Sequence, residues 1–258
     1  MSIRAGYMGK ILVGSETFRF ESCNLAWKAP VEAPDLVMGH WDHAVSYVGK
    51  GISSGTVSGP VTTEFANGVG SVWSWAVKRG TCGELTAEDV EIFYNCDDKT
   101  KFTDTYVNGL TISCSAGDLA TFSMDLMSGS NDSAGTTTYA KNDKTDTAVT
   151  WKDLALTCSG AGNVASFDFT IGNNLNPVYQ LGDSAATVLS GLRSISGSVS
   201  VYYPDSPTDG TISFVLGTTT ISANVRFHSY ETTLSVGPVM RTVPFIGAEI
   251  QTTINSMT

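Results

Sequence analysis

NGLTISCSAGDLATFSMDLM, residues 108–127, alternates apolar and polar side chains on both sides of a turn at Gly117-Asp118. Successive side chains of a β-strand point to opposite faces of a sheet, so a period of two predicts half-buried strands. A tight connection between two such strands predicts an antiparallel hairpin. The stretch therefore predicts a fold built outward from β-ribbons.

The same alternation recurs along the chain and predicts a mainly β fold. Gly, Ser and Thr are abundant and only 16% of the residues are charged, which favours short strands and turns over long solvated helices. Gly217 separates two of the alternating runs so closely that they predict a second tight hairpin. The runs are Thr105–Ser113, Leu119–Leu126, Val164–Ile171, Ser194–Tyr202, Thr211–Leu216 and Thr219–Phe227.

One short α-helix is predicted from about Ala87 to Asn95. Thr86 precedes it as a potential N-cap, and Asp89 stands three residues later in the position of a capping box. Apolar residues at helical spacing would form its buried face. The second half of the chain carries no comparable helix signal.

Three blocks of the first half are repeated, in the same order, in the second half. The repetition is degenerate and its spacing drifts, as expected for an old duplication with insertions. It predicts two related antiparallel β-sandwich or barrel modules. The matched blocks are Phe18–Leu25 with Phe167–Leu175, Gly49–Pro60 with Gly191–Pro204, and Asn108–Met127 with Thr232–Glu249.

A polar segment separates the two predicted modules. Residues 128–150 are too polar to form a core and too long for an ordinary connection in a compact domain. We expect either a linker or a functional arm there. The predicted division is a first module at 1–130, the polar linker or arm at 131–150 and a second module at 151–258.

Negative charge is concentrated in the middle of the chain. The formal net charge is −10, and between Thr81 and Thr150 twelve acidic residues face only four basic ones. Such a surface repels nucleic acid rather than binding it. An acidic solvated face that aids solubility is the alternative explanation.

No catalytic motif stands in the sequence context that its chemistry needs. Residues 51–55, GISSG, have the spacing of a G-x-S-x-G nucleophile elbow, but the residues that follow are strand-like rather than helical. His40, Asp42 and His43 could contribute zinc ligands together with His228, and a simple turn is the alternative. The sequence therefore predicts no enzyme, no cofactor and no metal.

Cysteine usage and hydropathy indicate a cytoplasmic protein. The five cysteines have irregular spacing, which predicts free thiols. No apolar segment is long enough for a secretory signal or a membrane span. The cysteines are Cys23, Cys82, Cys96, Cys114 and Cys158.

Four segments together resemble a known family. They are TAEDVEIFYN at 86–95, FTDTYVNGLTISCSAGDLATFSMDLMSG at 102–129, DFTIGNNLNPVYQLG at 168–182 and GLRSISGSVSVYYPD at 191–205. The chain resembles the major tail tube proteins of long-tailed, siphovirus-type bacteriophages. The resemblance covers most of the chain and consists of strand and turn patterns rather than invariant catalytic residues.

This resemblance implies a structural, non-enzymatic virion protein, assembled in the host cytoplasm. Family members close into rings by continuing β-sheets between neighbours, and the rings stack into a hollow tube through which DNA leaves the virion. Most members form homohexameric rings, whereas fused two-module members build a pseudo-sixfold ring from three chains. The repeated blocks favour the homotrimer, with a homohexamer as the alternative. Implied partners are copies of itself, the tape measure, terminator and baseplate proteins, and DNA that passes without specific binding, with no membrane involved.

Two other functions are open at this point. A single-ring tail component, such as a terminator or a baseplate tube initiator, would form one ring and stop. A β-sandwich ligand-binding module would bind a carbohydrate or a protein saturably.

The resemblance and the charge pattern together suggest site residues. An acidic lumen would let DNA slide, because its phosphates would find no Lys or Arg to hold them. We expect the polar segment to reach a neighbouring ring. The lumen-facing candidates are Asp97, Asp98, Asp104, Asp118 and Asp125, and the inter-ring arm candidates are Ser128, Asn131, Thr138, Tyr139, Lys141 and Lys144.

Overall fold

A computed structural model describes most of the chain, largely as strands of one antiparallel sheet. Within the described residues strands account for 60% and helix for 3%, so the predicted mainly β fold is confirmed. The described residues are 10–14, 16–29, 31–32, 47–48, 51–67, 71–80, 83–95, 97–130, 132–138, 147–181, 186–228, 231–233 and 239–254.

The first half of the chain contributes strands β1 to β11 and the helix α1, and the second half contributes β12 to β20. Those of the first half are β1 Lys10–Val13, β2 Glu16–Phe18, β3 Ser22–Cys23, β4 Ala26–Lys28, β5 Val31–Glu32, β6 Tyr47–Val48, β7 Ile52–Pro60, α1 Val72–Val77, β8 Glu88–Phe93, β9 Lys99–Ser115, β10 Thr121–Ser128 and β11 Asp132–Ala134. Those of the second half are β12 Thr157–Cys158, β13 Val164–Gly172, β14 Asn176–Val178, β15 Thr187–Leu189, β16 Ser194–Tyr202, β17 Gly210–Leu216, β18 Thr219–Phe227, β19 Glu231–Thr233 and β20 Met240–Ile254.

The main sheet follows one path through both halves of the chain. Its strands lie in the order β3, β7, β10, β9, β13, β16, β20, β18, β17, β12. β4 continues β3 along the same edge of β7, because both strands pair with β7 in a single register. β8 lies beside the first part of β9 and carries β1 and β2. β5 with β6 and β14 with β15 form two small hairpins outside this sheet.

The two halves of the main sheet have the same strand order. The first half runs along the chain through β3 and β4, then β7, β8, β9 and β10, which lie side by side as β3/β4, β7, β10, β9, β8. The second half runs through β13, β16, β17, β18 and β20, which lie side by side as β13, β16, β20, β18, β17. Each half also inserts a small hairpin between its first two strands. The division into two modules with the boundaries given above stays a prediction.

Alternation of side chains gives each main strand one apolar and one polar face. β10 shows the pattern clearly, because Phe122, Met124 and Leu126 are buried while Ser123 and Asp125 between them are exposed. The apolar faces of the strands meet in one hydrophobic core. The opposite face of the sheet is left for polar side chains.

The six predicted strand runs are confirmed, since they coincide with or overlap β9, β10, β13, β16, β17 and β18. Both predicted hairpin turns are also present. Gly117 has a φ of 96° between β9 and β10, and Gly217 has a φ of 61° between β17 and β18. Glycine adopts these left-handed conformations without the steric cost of a Cβ atom.

The helix predicted at Ala87–Asn95 is wrong, because residues 88–93 form strand β8. Val90, Glu91 and Ile92 are consecutive and buried, a run that an amphipathic helix with one solvated face does not show. β8 pairs with β1 on one side and with β9 on the other. Pairing on both edges and β-branched side chains therefore outweighed the capping-box pattern.

The one helix among the described residues is α1, which begins after Ser71. The Ser71 hydroxyl accepts a hydrogen bond from the backbone N–H of Ser74 at 3.2 Å and so acts as the N-cap. Val72, Trp73, Trp75 and Ala76 are buried. The helix is short and rich in tryptophan and valine, which favour strands, so its sequence gives a weak helical signal.

The core and the segment around α1 connect the two halves of the sheet. The core contains Phe169 and Phe214, whose ring centroids are 5.3 Å apart, together with residues of the first half. Thr219, at the start of β18, donates its hydroxyl to the carbonyl oxygen of Ala66 at 2.7 Å. The described residues 61–67 and 71–79 therefore pack against strands of the second half.

Candidate functional site

The face of the main sheet opposite the core is covered mostly by small polar side chains. In β7, β10, β9, β13 and β16 the residues that point away from the core are mainly Ser, Thr, Asp or Gly. This face is a direct result of the period of two in the sequence. It continues across the joint between the two halves, because β9 pairs with β13.

Side-chain hydrogen bonds connect neighbouring strands across this polar face. Each adjacent pair of strands from β3 to β20 is joined by at least one bond between two side chains, and we call the twelve residues that form these six bonds the hydroxyl belt. The bonded pairs, with their oxygen to oxygen distances, are Ser22 with Ser58 (2.7 Å), Thr56 with Asp125 (2.9 Å), Ser113 with Thr121 (3.1 Å), Thr111 with Thr170 (2.9 Å), Ser198 with Asp168 (2.7 Å), and Ser200 with Thr242 (2.8 Å).

Two carboxylates belong to the hydroxyl belt, one in each half of the sheet. Asp125 accepts the hydroxyl hydrogen bond of Thr56, and Asp168 accepts both the hydroxyl and the backbone N–H of Ser198. The belt contains no lysine or arginine. It therefore presents acceptors, hydroxyls and negative charge.

The structure brings only one of the five predicted lumen-facing residues, Asp125, into the hydroxyl belt. Asp97 and Asp98 lie in the turn between β8 and β9, whereas Asp118 lies in the turn between β9 and β10. β9 is 17 residues long, so it separates these turns widely. Asp104 lies within β9 and has a φ of 48°. That these five residues face a lumen stays a prediction.

Sequence reasoning missed Asp168. Its position in an alternating run, Phe167-Asp168-Phe169, was visible as a polar residue between two apolar ones. That pattern places the carboxylate on the polar face of the sheet. The concentration of acidic residues between Thr81 and Thr150 drew the prediction to the first half alone.

Within the described residues several outer strands of the main sheet have a strand partner on one side only, among them β3/β4 and β19. β3 and β4 pair there only with β7, and β19 pairs only with β20. β17 covers β18 as far as Val225. Unpaired strand edges are templates for pairing with another chain.

A buried asparagine joins the two halves beside α1. Asn173 donates its side-chain amide to the carbonyl oxygens of Ala76 and Val107, both at 2.9 Å. Its oxygen accepts hydrogen bonds from Arg79 at 3.4 Å and from Arg193 at 3.5 Å. Burial and the neighbouring Arg79 charge lower the pKa of Arg193. We call Arg79, Asn173 and Arg193 the junction cluster.

The small hairpin of β14 and β15 exposes several large apolar side chains. They lie within residues 178–192, and Leu181 is fully exposed. Groups of exposed apolar side chains mark interaction surfaces. The exposed residues are Val178, Tyr179, Leu181, Leu189 and Leu192.

The first part of the predicted inter-ring arm packs on the sheet. Ser128 is the buried last residue of β10 and donates its hydroxyl to the Thr103 carbonyl oxygen at 2.6 Å. The buried Glu91 carboxylate accepts the backbone N–H groups of Thr136 and Thr137, both at 3.3 Å. Thr138 is exposed, and Asn131, Tyr139, Lys141 and Lys144 lie outside the described residues. The inter-ring role of this segment stays a prediction.

The two catalytic or metal motifs weighed in the sequence do not form a site within the described residues. Ser53 is buried in β7 and donates its hydroxyl to the carbonyl oxygen of Ser130 at 2.8 Å, so it is not an exposed nucleophile. His40, Asp42 and His43 lie outside the described residues. In the part of the chain that the structure describes, no group of three or more potential ligands could hold a metal ion.

Cys23, Cys114 and Cys158 are free thiols. Burial raises the pKa of all three, that of Cys158 to about 11. These thiols therefore stay protonated and weakly nucleophilic near neutral pH. Cys82 and Cys96 lie outside the described residues.

Among the residues that the structure describes, no helix is long and apolar enough to cross a bilayer.

A continuous sheet with one apolar face, one hydroxyl face and unpaired outer strands is typical of a structural β protein that assembles with other subunits. The family model described as phage tail tube protein matches residues 30–253. This chain therefore belongs to the phage tail tube protein family. Family membership implies a structural component of the virion tail that self-assembles and associates with other tail proteins. No match was found among the curated proteins.

Proposed function

We propose that this protein forms the hollow tube of a phage tail by closing into rings that stack, and that DNA passes through the tube during delivery. The hydroxyl belt is the observation that carries the proposal. The main sheet runs through both halves of the chain and presents one continuous polar face. If such sheets closed into a ring, this face would line the inside of the ring. The apolar face is already covered by the core.

The polar face has the chemistry that a DNA channel requires. DNA is held mainly through its phosphates by Lys and Arg. The hydroxyl belt carries Asp125 and Asp168 and no basic residue. Phosphates passing the belt would be repelled weakly, and the exposed Lys28, which shares this face, lies at the outer edge of the sheet in β4, so DNA would slide along the belt.

We further propose that the chain is a fused pair of related modules and that three chains form a pseudo-sixfold ring. The shared strand order of the two halves supports a duplication. One chain would then supply two ring positions, and three chains would close the ring. A homohexamer of this chain would require twelve modules per ring and is the alternative.

The other partners in this proposal are the tape measure, terminator and baseplate proteins, with assembly in the host cytoplasm and no membrane involved. The protein has no enzymatic role in it, which the buried position of Ser53 supports.

Negative-stain electron microscopy of the purified protein at rising concentration tests the proposal. Stacked hollow rings with threefold symmetry are the expected result. Closed rings that never stack would favour a terminator or a baseplate initiator instead. Monomers at every concentration, together with saturable binding of a carbohydrate or a protein, would favour a β-sandwich ligand-binding module.

Leu181→Asp is expected to reduce tube elongation roughly tenfold or more while leaving the protomer folded. Leu181 is fully exposed in the apolar hairpin, so its loss costs the isolated protomer little, but a charge there would disrupt an apolar contact with a neighbouring ring. Tube length by electron microscopy and thermal unfolding of the protomer are the two measurements. Gln180→Asp adds the same charge next to it and is the control. Tubes of normal length from Leu181→Asp would contradict a role of this hairpin in stacking.

Asp125→Lys is expected to slow DNA release from assembled virions by roughly tenfold or more, because each stacked ring would then add lysines that bind phosphate. Raising the salt concentration should restore much of the rate. Glu64→Lys makes the same change in charge at an exposed residue outside the belt and is the control. Release is measured by dye fluorescence after receptor triggering. Equal release rates for the two variants would show that Asp125 does not face the DNA.

A further inference from the structure

We propose that the edge of β3 and β4 in one copy pairs antiparallel with the edge of β19 in the next copy, in one defined register. In that register Ala26 faces Glu231, Leu25 faces Thr232 and Asn24 faces Thr233. The occupant of each edge is therefore a second copy of this chain. This inference rests on the ring assembly proposed above and adds which strands join and how they align.

The chain contains a template for this joint in the pairing of β9 with β13. These strands pair antiparallel from Gly109 with Gly172 to Ser115 with Ser166. Midway between these ends, two hydroxyls of the belt, on β9 and β13, share a hydrogen bond of 2.9 Å. In this joint β13, the first strand of the second half along the chain, pairs with β9, the fourth strand of the first half.

An irregularity in β9 defines the position of the joint along the strand. Val107 faces Leu126 of β10, but Gly109 faces Asp125, so Asn108 is an extra residue in β9. Such a one-residue bulge changes the pairing register at a defined point. β13 pairs with β9 directly after this bulge.

The same irregularity lies between β18 and β19. Phe227 faces Phe245 of β20, whereas Glu231 faces Thr242, so one extra residue lies between the two pairs. His228 donates its backbone N–H to the carbonyl oxygen of Pro244 at 2.9 Å. β18 and β19 together therefore correspond to β9. Corresponding residues differ in number by the same amount throughout, so Asn108 corresponds to His228.

The first strands of the two halves can be matched through the glycines of β7 and β16. Gly55 faces Leu126, and Gly197 faces Phe245. Leu126 and Phe245 each face the residue directly before the bulge of their own half, Val107 in one case and Phe227 in the other. Gly55 and Gly197 therefore occupy the same position.

A hydrogen bond next to each glycine completes the match. The backbone N–H of Thr56 donates to the side-chain oxygen of Asn24 at 2.5 Å. The backbone N–H of Ser198 donates to the carboxylate of Asp168 at 2.8 Å. Asn24 in the first half therefore corresponds to Asp168 in the second half.

The register of the joint between copies follows when the pairing of β13 with β9 is applied to the corresponding residues of β3/β4 and β19. Asp168 faces Ser113 in the joint within the chain. The counterpart of Asp168 is Asn24, and the counterpart of Ser113 is Thr233, so Asn24 faces Thr233. By the same step the pair Thr170 and Thr111 becomes Ala26 and Glu231.

Charge at the two edges agrees with this register. Lys28 is exposed two residues beyond Ala26, so its side chain lies on the same face of the sheet. The register places Lys28 diagonally across from Glu231. Opposite charges on adjacent strands at such positions stabilise pairing.

Disulfide cross-linking of assembled protein tests the register. Ala26→Cys with Glu231→Cys, in a Cys23→Ser background, is expected to form covalent dimers and closed trimers on oxidation with diamide. The corresponding pair within the chain has adjoining hydroxyls, which shows that side chains at this position lie close together. The corresponding pair of Thr111 with Thr170 is a non-hydrogen-bonded pair, the type of opposed pair whose Cβ atoms come close enough for a disulfide. Denaturing electrophoresis without reductant measures the products.

Ala26→Cys with Thr232→Cys is the matched control. A shift of one residue places the two thiols on opposite faces of the sheet, so we expect at least about tenfold less cross-linked product. Each single cysteine variant measures the background from the remaining native thiols.

The outcomes separate this inference from the proposed function. If tubes form but the Glu231→Cys pair cross-links no better than the control, the register is wrong. If tubes form and the control pair cross-links better, the strands join with a shift. If the unsubstituted protein forms neither rings nor tubes at any concentration, the proposed function fails and this joint fails with it.

Thr232→Pro tests the same joint without cysteines. β9 directs the N–H groups of its even-numbered residues toward β13, as the bond from Ala116 just beyond the strand to the Ala165 carbonyl oxygen at 2.8 Å indicates. Thr232 corresponds to Ile112, so its N–H points to the outer edge, and proline removes that donor. The expected result is a folded protomer by circular dichroism that no longer forms rings. Normal rings from this variant would overturn the proposal.

Discussion

Gly197→Val is expected to prevent stable folding of the protomer, with a loss of about 3 kcal/mol or more in the free energy of unfolding. Gly197 lies in β16 between β13 and β20. A Cβ atom there would lie 2.6 Å from Cζ of Phe245 and closer still to the backbone carbonyl oxygen of Asp168. Strands paired on both edges cannot move apart without losing hydrogen bonds of the sheet, so the clash cannot relax.

Ser196→Val is the control for this prediction. Ser196 is the neighbouring residue, and its side chain is exposed on the opposite face of the sheet. We expect its effect to stay within about 0.5 kcal/mol. Urea unfolding of the dispersed protomer, followed by circular dichroism, measures both. Equal stability of Gly197→Val and the unsubstituted protein would contradict the prediction.

Asn173→Leu is expected to lower the free energy of unfolding by about 4 kcal/mol, because several buried polar groups would lose their partner. Leucine fills a similar volume but cannot bond the carbonyl oxygens of Ala76 and Val107. The two arginines of the junction cluster would also lose an acceptor. The loss should weaken the packing of α1 across the joint between β9 and β13.

Asn176→Leu, at an exposed asparagine nearby, is the control for a change in polarity alone. Thermal unfolding and hydrogen exchange of the α1 amides are the measurements. If Asn173→Leu left both unchanged, the junction cluster would not be what holds the two halves together.

Alternation made the strands predictable from the sequence. A strand such as β10 presents buried and exposed residues in turn, and that period is visible without knowing its neighbours. Gly117 and Gly217 were equally readable, because a positive φ favours glycine wherever a tight turn needs one.

The helix prediction failed because it depended on what packs around the segment. Residues 88–93 carry a capping-box pattern, yet two neighbouring strands pair with them. Those partners, β1 and β9, are brought together by the tertiary fold, which a local pattern does not report.

The sequence comparison aligned the two halves of the chain correctly only in part. The match of residues 49–60 with 191–204 agrees with the structural correspondence of Gly55 and Gly197. The match of Phe18–Leu25 with Phe167–Leu175 does not, because strand pairing matches Asn24 with Asp168. Side-chain alternation repeats every two residues, so a sequence comparison can shift by a few residues and still look regular.

The junction cluster and α1 strengthen only one kind of joint. The connection between β16 and β17, residues 203–209, has the place in the second half that the α1 segment has in the first, and it contains no helix. A ring of three chains would alternate three helix-braced joints within chains and three joints held by strand pairing between chains. Bending or twisting stress would then concentrate at the unbraced joints. Such a tube would flex and finally split along three seams, each a third of a turn from the next, rather than deform evenly around its circumference.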